Sequence, residues 1–207
     1  MSSKLKKKGK NKFFNKTEME NMKHYAKSES PTDKLIEDVY YNVRLVAYQI
    51  LHDKFGFGQK RIIRLENTID KYIESKAEGG LKMDELVFYM KEKCNIDVKE
   101  EVNKVPFKER FAITTYKINA KANIVSLNAA GMYMLVPMCN YFCLLGVCLK
   151  TQFKFSTRQI KEVYEWIRYY INTLSRPKQF DLTIKDIVDC LIEEVGYCDF
   201  RFAKEVL

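Results

Sequence analysis

A chain of 207 residues with 46% hydrophobic and 30% charged residues has enough apolar content to bury a real core, which excludes disorder along its whole length. The formal net charge of +9 is unevenly spread: residues 1–30 hold nine Lys against Glu18, Glu20 and Glu29, whereas residues 31–97 and 129–207 are close to neutral. That distribution excludes a uniformly basic nucleic-acid-binding surface.

Residues 1–28 are expected to form a basic flexible tail. Lys4, Lys6, Lys7, Lys8, Lys10 and Lys12 crowd its start, and no acid precedes Glu18. The segment lacks the apolar core of a secretory signal. Its lysines would add salt-sensitive, sequence-independent affinity for nucleic acid. A first helical module is expected over 29–97. Ser30-Pro31-Thr32-Asp33 is a helix start, with Pro in the first turn and an acid beside it. The helix should run to about Asp53 with a wet face carrying Glu37, Asp38 and Arg44.

The string after it recurs later in the chain. Leu51–Ser75 and Leu149–Thr173 are identical at Leu51/Leu149, Phe55/Phe153, Phe57/Phe155, Ile62/Ile160, Ile69/Ile167, Tyr72/Tyr170 and Ile73/Ile171. Three residues are then inserted, and Leu81/Leu182, Met83/Ile184, Leu86/Ile187, Val87/Val188 and Met90/Leu191 line up. Matches that are apolar and helically spaced are what a shared core leaves behind. Gly58 and Ser156 are matched N-cap candidates, each preceded by a Phe and followed four residues later by an Ile, the hydrophobic-staple arrangement. Gln159 completes a capping box with Ser156. A phosphate-cradling reading of FGFG fails because Gly56 and Gly58 become Lys154 and Ser156, and no Lys-Ser/Thr pair follows.

A connector spans 98–128. Pro106 marks a break, and Phe111–Ile118 with Asn123–Leu127 forms either a short β-hairpin or a helix. From Ala122 to Leu149 no residue carries a charge. A helix apolar on all sides is a membrane span or the central helix of a core. Its counterpart in the first copy is amphipathic, so the central helix is the preferred reading and a membrane partner is not expected. The second module then occupies 129–207. The fold class is therefore mainly α: two tandem, diverged modules, each a helix, an FxF corner and two further helices.

Cys94, Cys139, Cys143, Cys148, Cys190 and Cys198 read as reduced, mostly buried thiols of a cytoplasmic protein. The only histidines, His24 and His52, lie far from them, so neither a metal nor a cofactor is expected. No nucleophile motif or paired acid–base motif is present, and the chain reads as non-enzymatic.

The string Leu51-His52-Asp53-Lys54-Phe55-Gly56-Phe57-Gly58-Gln59-Lys60-Arg61 resembles small proteins encoded by phages of Gram-positive bacteria, in which an FGFG-x-K-R stretch follows an amphipathic helix. That resemblance covers about 45 residues of the first copy and implies a host-directed or regulatory protein, while supplying no site residues. The expected function is binding to a bacterial host protein or protein–nucleic acid complex as an inhibitor, anti-defence factor or adaptor. Trp166 and Tyr169 are the candidate protein contacts. The alternative is a regulator that binds DNA or RNA through the lysine tail and Lys60, Arg61 and Arg64. A second alternative is a single-span membrane protein.

Overall fold

The computed structural model describes residues 31–114 and 124–197. Among these the chain is mainly helical and has no strand. Helix α1 spans Pro31–Phe55, α2 Gln59–Ala77, α3 Met83–Cys94 and α4 Val98–Asn103. A 3-10 turn covers Glu109–Ile113. Then come α5 Ile124–Thr151, α6 Thr157–Leu174, the single turn α7 Pro177–Phe180 and α8 Ile184–Cys190, which runs into a π-helical turn at Leu191–Val195. The lysine tail, Thr115–Asn123 and Cys198 lie outside the described residues.

At the two corners, residues paired by the sequence matches share local geometry. Gly56 and Lys154 both adopt left-handed φ, +64° and +58°. In each corner the second Phe donates its N–H back across the helix end, Phe57 to Leu51 at 3.0 Å and Phe155 to Leu149 at 2.9 Å. This closes the last turn of the preceding helix with the hydrogen bond of a Schellman motif. Lys154 tolerates a conformation that costs a non-glycine residue roughly 1 kcal/mol because the flanking phenylalanines hold it there. The capping box expected at Ser156 forms: Gln159 N–H donates to Ser156 Oγ, and Ser156 N–H donates to Gln159 Oε1. Further along, Asn95 and Gly196 end α3 and the π turn in the same way. Ile96 N–H reaches Met90 O, and Tyr197 N–H reaches Leu191 O.

Partners, however, are exchanged between the halves. α1 runs along α5, and it is covered by α6 and α8; α5 is covered by α2, α3 and α4. The corners meet, with ring centroids 5.3 Å apart for Phe55/Phe155 and 4.9 Å for Phe57/Phe153. One buried cluster therefore takes in residues of both halves, from Leu35 to Tyr197.

α5 is the middle of that cluster. It is long and apolar enough to cross a membrane, and 83% of its apolar window is buried inside the protein. Gly146 has a packing reason: a Cβ there would lie 2.2 Å from Tyr164 Oη and 2.4 Å from Met90 Cε. Tyr164 needs that space because its buried hydroxyl donates to Phe142 O at 2.6 Å.

The hairpin option does not hold for the described part of 111–127. Phe111–Ile113 is a 3-10 turn and Ile124–Leu127 begins α5, five residues earlier than the module boundary at 129. The β-branched and aromatic residues that suggested strands are used for burial. Phe111 and Ile113 are almost wholly enclosed, and the turn packs on α6 and α1. Asn42 Nδ2 donates to Ile113 O, and Asn172 Nδ2 donates to Glu109. The connector is thus part of the core: Glu101 of α4 is 7% exposed and pairs with Arg168 of α6 at 2.6 Å and with Lys104 at 2.7 Å.

Candidate protein-contact face and adjoining cleft

α6 buries Ile160, Val163, Tyr164, Ile167 and Ile171 on one side. Period 3.6 then sends Arg158, Glu162, Glu165 and Tyr169 outward. Tyr169 is 55% exposed. Trp166, expected as a surface residue, is half-buried: Lys54 of α1 sits 4.2 Å over its ring. The Trp166 and Tyr169 rings meet edge-on at 5.6 Å, and Tyr169 lies 6.3 Å from Tyr170. The result is a rigid aromatic ledge with one cation propped against it.

Beside the ledge a cleft of about 280 Å³ opens between α1, α6 and α8. Gln49, Tyr169, Tyr170, Leu182, Asp186 and Cys190 are in its walls. Gln49 Nε2 donates to Asp53 Oδ1 at 2.8 Å and to Cys190 Sγ at 3.2 Å. Tyr170 Oη donates to Asp53 Oδ2 at 2.9 Å. Burial, then the bond to Asp53, pushes the Tyr170 phenol well above its ordinary range. Next to this network, His52 Nδ1 bonds Phe57 O at 3.1 Å and Nε2 faces Glu194 at 3.3 Å, which ties the corner to the π turn. Gln59 Nε2 adds a bond to Gly196 O at 2.6 Å.

The basic candidates behave differently. Lys60, Arg61 and Arg64 are exposed on α2. Arg61 stands 5.5 Å over Phe57, and Arg64 stands 5.5 Å over Phe153 while donating to Gln152 Oε1. Two of the three cations therefore brace the corners. Lys4, Lys6, Lys7, Lys8, Lys10 and Lys12 fall outside the described residues. Tyr170, matched with Tyr72 and expected in the core, is only partly buried and lines the cleft.

Sequence reasoning missed Gln49, Asp53, Asp186 and Cys190 as a group. Gln49 and Cys190 are 141 residues apart, and no spacing rule connects α1 to α8. Among the described residues no set of three His, Cys, Asp or Glu side chains could hold a metal ion.

The thiols separate by burial. Cys94, Cys139, Cys143 and Cys148 are buried, and Cys190 is partly open. Burial pushes Cys148 up to about 12 and Cys143 higher still, with neighbouring thiols adding to the effect at Cys143. A thiol reagent at neutral pH should therefore modify Cys190 well before these four, as read by peptide mapping. The unfolded chain releases thiol protons near pH 8.5, whereas the folded chain keeps them. Stability should accordingly decline as pH rises above about 9 and gain nothing from these groups below that. Labelling of Cys143 as fast as Cys190 would mean that the core around α5 is open.

Comparison with protein-family models, characterised proteins and solved structures finds no match to this chain.

Proposed function

We propose that this chain is a non-enzymatic binding protein of phage type, which docks a host protein or complex through the exposed face of α6. The observation that carries the reading is the ledge of Trp166 and Tyr169, an aromatic pair on a well-packed helix with Lys54 against it. Aromatic side chains of this kind give large contact area at small entropic cost and dominate the centres of protein interfaces. The corresponding positions of α2 are Thr68 and Lys71, so the ledge is not required by the corner-and-helix pattern. The FGFG-x-K-R resemblance supports a host-directed role. An inhibitor, an anti-defence factor and a regulatory adaptor all use such a face.

The test is affinity capture from a Gram-positive bacterial lysate, with and without nuclease, using the wild-type chain and Trp166→Ala/Tyr169→Ala. A protein retained by the wild type, insensitive to nuclease and lost with the double variant is the expected result. Tyr169→Ala should by itself cost the interaction about 1–2 kcal/mol, or roughly five- to thirtyfold in affinity. Capture that disappears with nuclease and is unchanged in the double variant would replace this reading with nucleic-acid binding through the lysine tail and α2.

A further inference from the structure

The sequence matches between the two halves do not begin at Leu51. Carried back at the same spacing, with no insertion, they include Asn42/Asn140, Ser28/Ser126, Lys23/Lys121, Asn21/Asn119, Thr17/Thr115, Phe13/Phe111 and Lys10/Lys108, with Lys12 against Arg110. Lysine matches are cheap in a lysine-rich stretch, so Phe13, Thr17 and Asn21 carry the weight. Residues 10–17, which lie outside the described residues, thus pair with the stretch that holds the 3-10 turn Glu109–Ile113. That turn packs on α6 and α1, and its Phe111 is 7% exposed. Two amides fix it: Asn172 Nδ2 of α6 donates to Glu109 Oε1 at 2.6 Å, and Asn42 Nδ2 of α1 donates to Ile113 O at 3.0 Å. The helices matched with α6 and α1 are α2 and α5, and they too lie against each other. Positions on both are open. From 133 to 149 every residue of α5 is buried except Val136 and Asn140, one turn apart on one side of the helix. On α2, Ile73 is 38% exposed, whereas its match Ile171 is fully enclosed.

We propose that residues 10–17 dock across α2 and α5 as the 3-10 turn docks across α6 and α1, with Phe13 in the place of Phe111, Asn140 donating to the Asn15 carbonyl and Asn11 donating to Glu74. The polar partners are exchanged in step. In the second half the helix supplies Arg168 and Asn172, and the connector supplies Glu101 and Glu109. In the first half the helix supplies Asp70 and Glu74, and the segment supplies Lys10, Asn11 and Lys12. Both sides of the contact reverse together, which keeps it complementary. Asn15 replaces Ile113, so the apolar weight falls on Phe13 and Phe14, whose rings each bury a large area once enclosed. The tether is adequate because no residue is inserted or lost between the matched segments and the helices that follow them. Nucleic acid is a poor occupant of this face, since Asp70 and Glu74 repel its phosphates. The basic tail is in this way anchored at its middle, and the inference is independent of the α6 contact face.

The test uses the full chain, with amide hydrogen exchange read by mass spectrometry and melting read by circular dichroism. Amides of residues 11–15 are expected to be protected in the wild type and to lose that protection in Phe13→Ala. The same variant should melt about 5–10 °C lower, because an enclosed phenylalanine is lost from the contact. Asn11→Glu sets a second acid against Glu74 and should lower the melting temperature by about 2–4 °C. Adding Glu74→Asn to that variant restores an acid–amide pair in the sense of Glu109 and Asn172, and should recover the loss. Exchange of residues 11–15 at the rate of an unfolded peptide overturns the proposal, as does a melting temperature unchanged by Phe13→Ala. A loss in Asn11→Glu that Glu74→Asn leaves in place overturns it as well. Protection that disappears on dilution, together with a dimeric mass in size-exclusion chromatography, gives the face to a second copy of the chain and likewise overturns it.

Discussion

Leu145→Asp should unfold the protein. Leu145 is fully enclosed in the middle of α5, the helix that both halves pack around. The substitution removes a buried leucine, worth about 2–5 kcal/mol, and places a carboxyl group where nothing answers it. Protonation relieves part of the charge cost but leaves a buried polar group. Together these terms reach the whole stability of an ordinary domain, about 5–15 kcal/mol. Loss of the cooperative melt by circular dichroism, with an early-eluting or absent peak in size-exclusion chromatography, is the expected readout. Met132→Asp lies on the same helix at 41% exposure and should shift stability by only about 0.5 kcal/mol. Similar melting temperatures for the two variants would mean that α5 is not central.

The second large effect is expected at the buried ion pair. Arg44, expected on the wet face of α1, is instead 2% exposed, because it meets Glu66 of α2 at 3.1 Å inside the protein. The guanidinium also lies 4.4 Å over Tyr41, and Tyr197 Oη donates to Glu66 at 2.7 Å. Glu66→Leu withdraws the carboxylate from an enclosed cation and the acceptor from Tyr197, and should cost about 3–5 kcal/mol. Arg44→Phe by itself strands the acid instead. The matched positions of the second half show what the geometry tolerates: Phe142 and Tyr164, stacked with centroids 4.7 Å apart. The double substitution Arg44→Phe/Glu66→Tyr should therefore melt above either single variant, because it installs the pair that the other half already uses. Strictly additive losses in chemical denaturation would show that the two sites are not interchangeable.

Local chemistry was legible from residues alone. The capping box at Ser156 and Gln159, the FxF corners and the buried positions Ile62, Leu65, Ile160 and Val163 follow from side-chain identity and a period of 3.6. Trp166 and Tyr169 stood out because aromatic residues replace Thr68 and Lys71 at paired positions. Of the two alternatives for the stretch around Phe111, the hairpin fails in the described part for a reason that applies generally: β-branched and aromatic residues signal burial as much as strand, and only the tertiary environment decides which. Here Phe111 and Ile113 are buried by α1 and α6, so the backbone could take a 3-10 turn.

The sequence by itself determined that the chain is helical, where its corners lie, and that the charge-free segment had to be enclosed by something. Those properties depend on neighbours within one or two helical turns. Tertiary structure alone decided that each half's first helix is covered by the other half's helices, that Arg61 and Arg64 brace phenylalanine rings, and that Gln49 meets Asp53, Tyr170 and Cys190 in one cleft. The contacts that join the two ends of the chain, Gln49 with Cys190 and Asp53 with Tyr170, link residues 141 and 117 positions apart. An apolar stripe states that a face must be buried and carries no record of which helix will bury it, because hydrophobic attraction is non-directional. The partners are chosen by shape, at places such as Gly146, where a single added carbon would stand 2.2 Å from Tyr164 Oη.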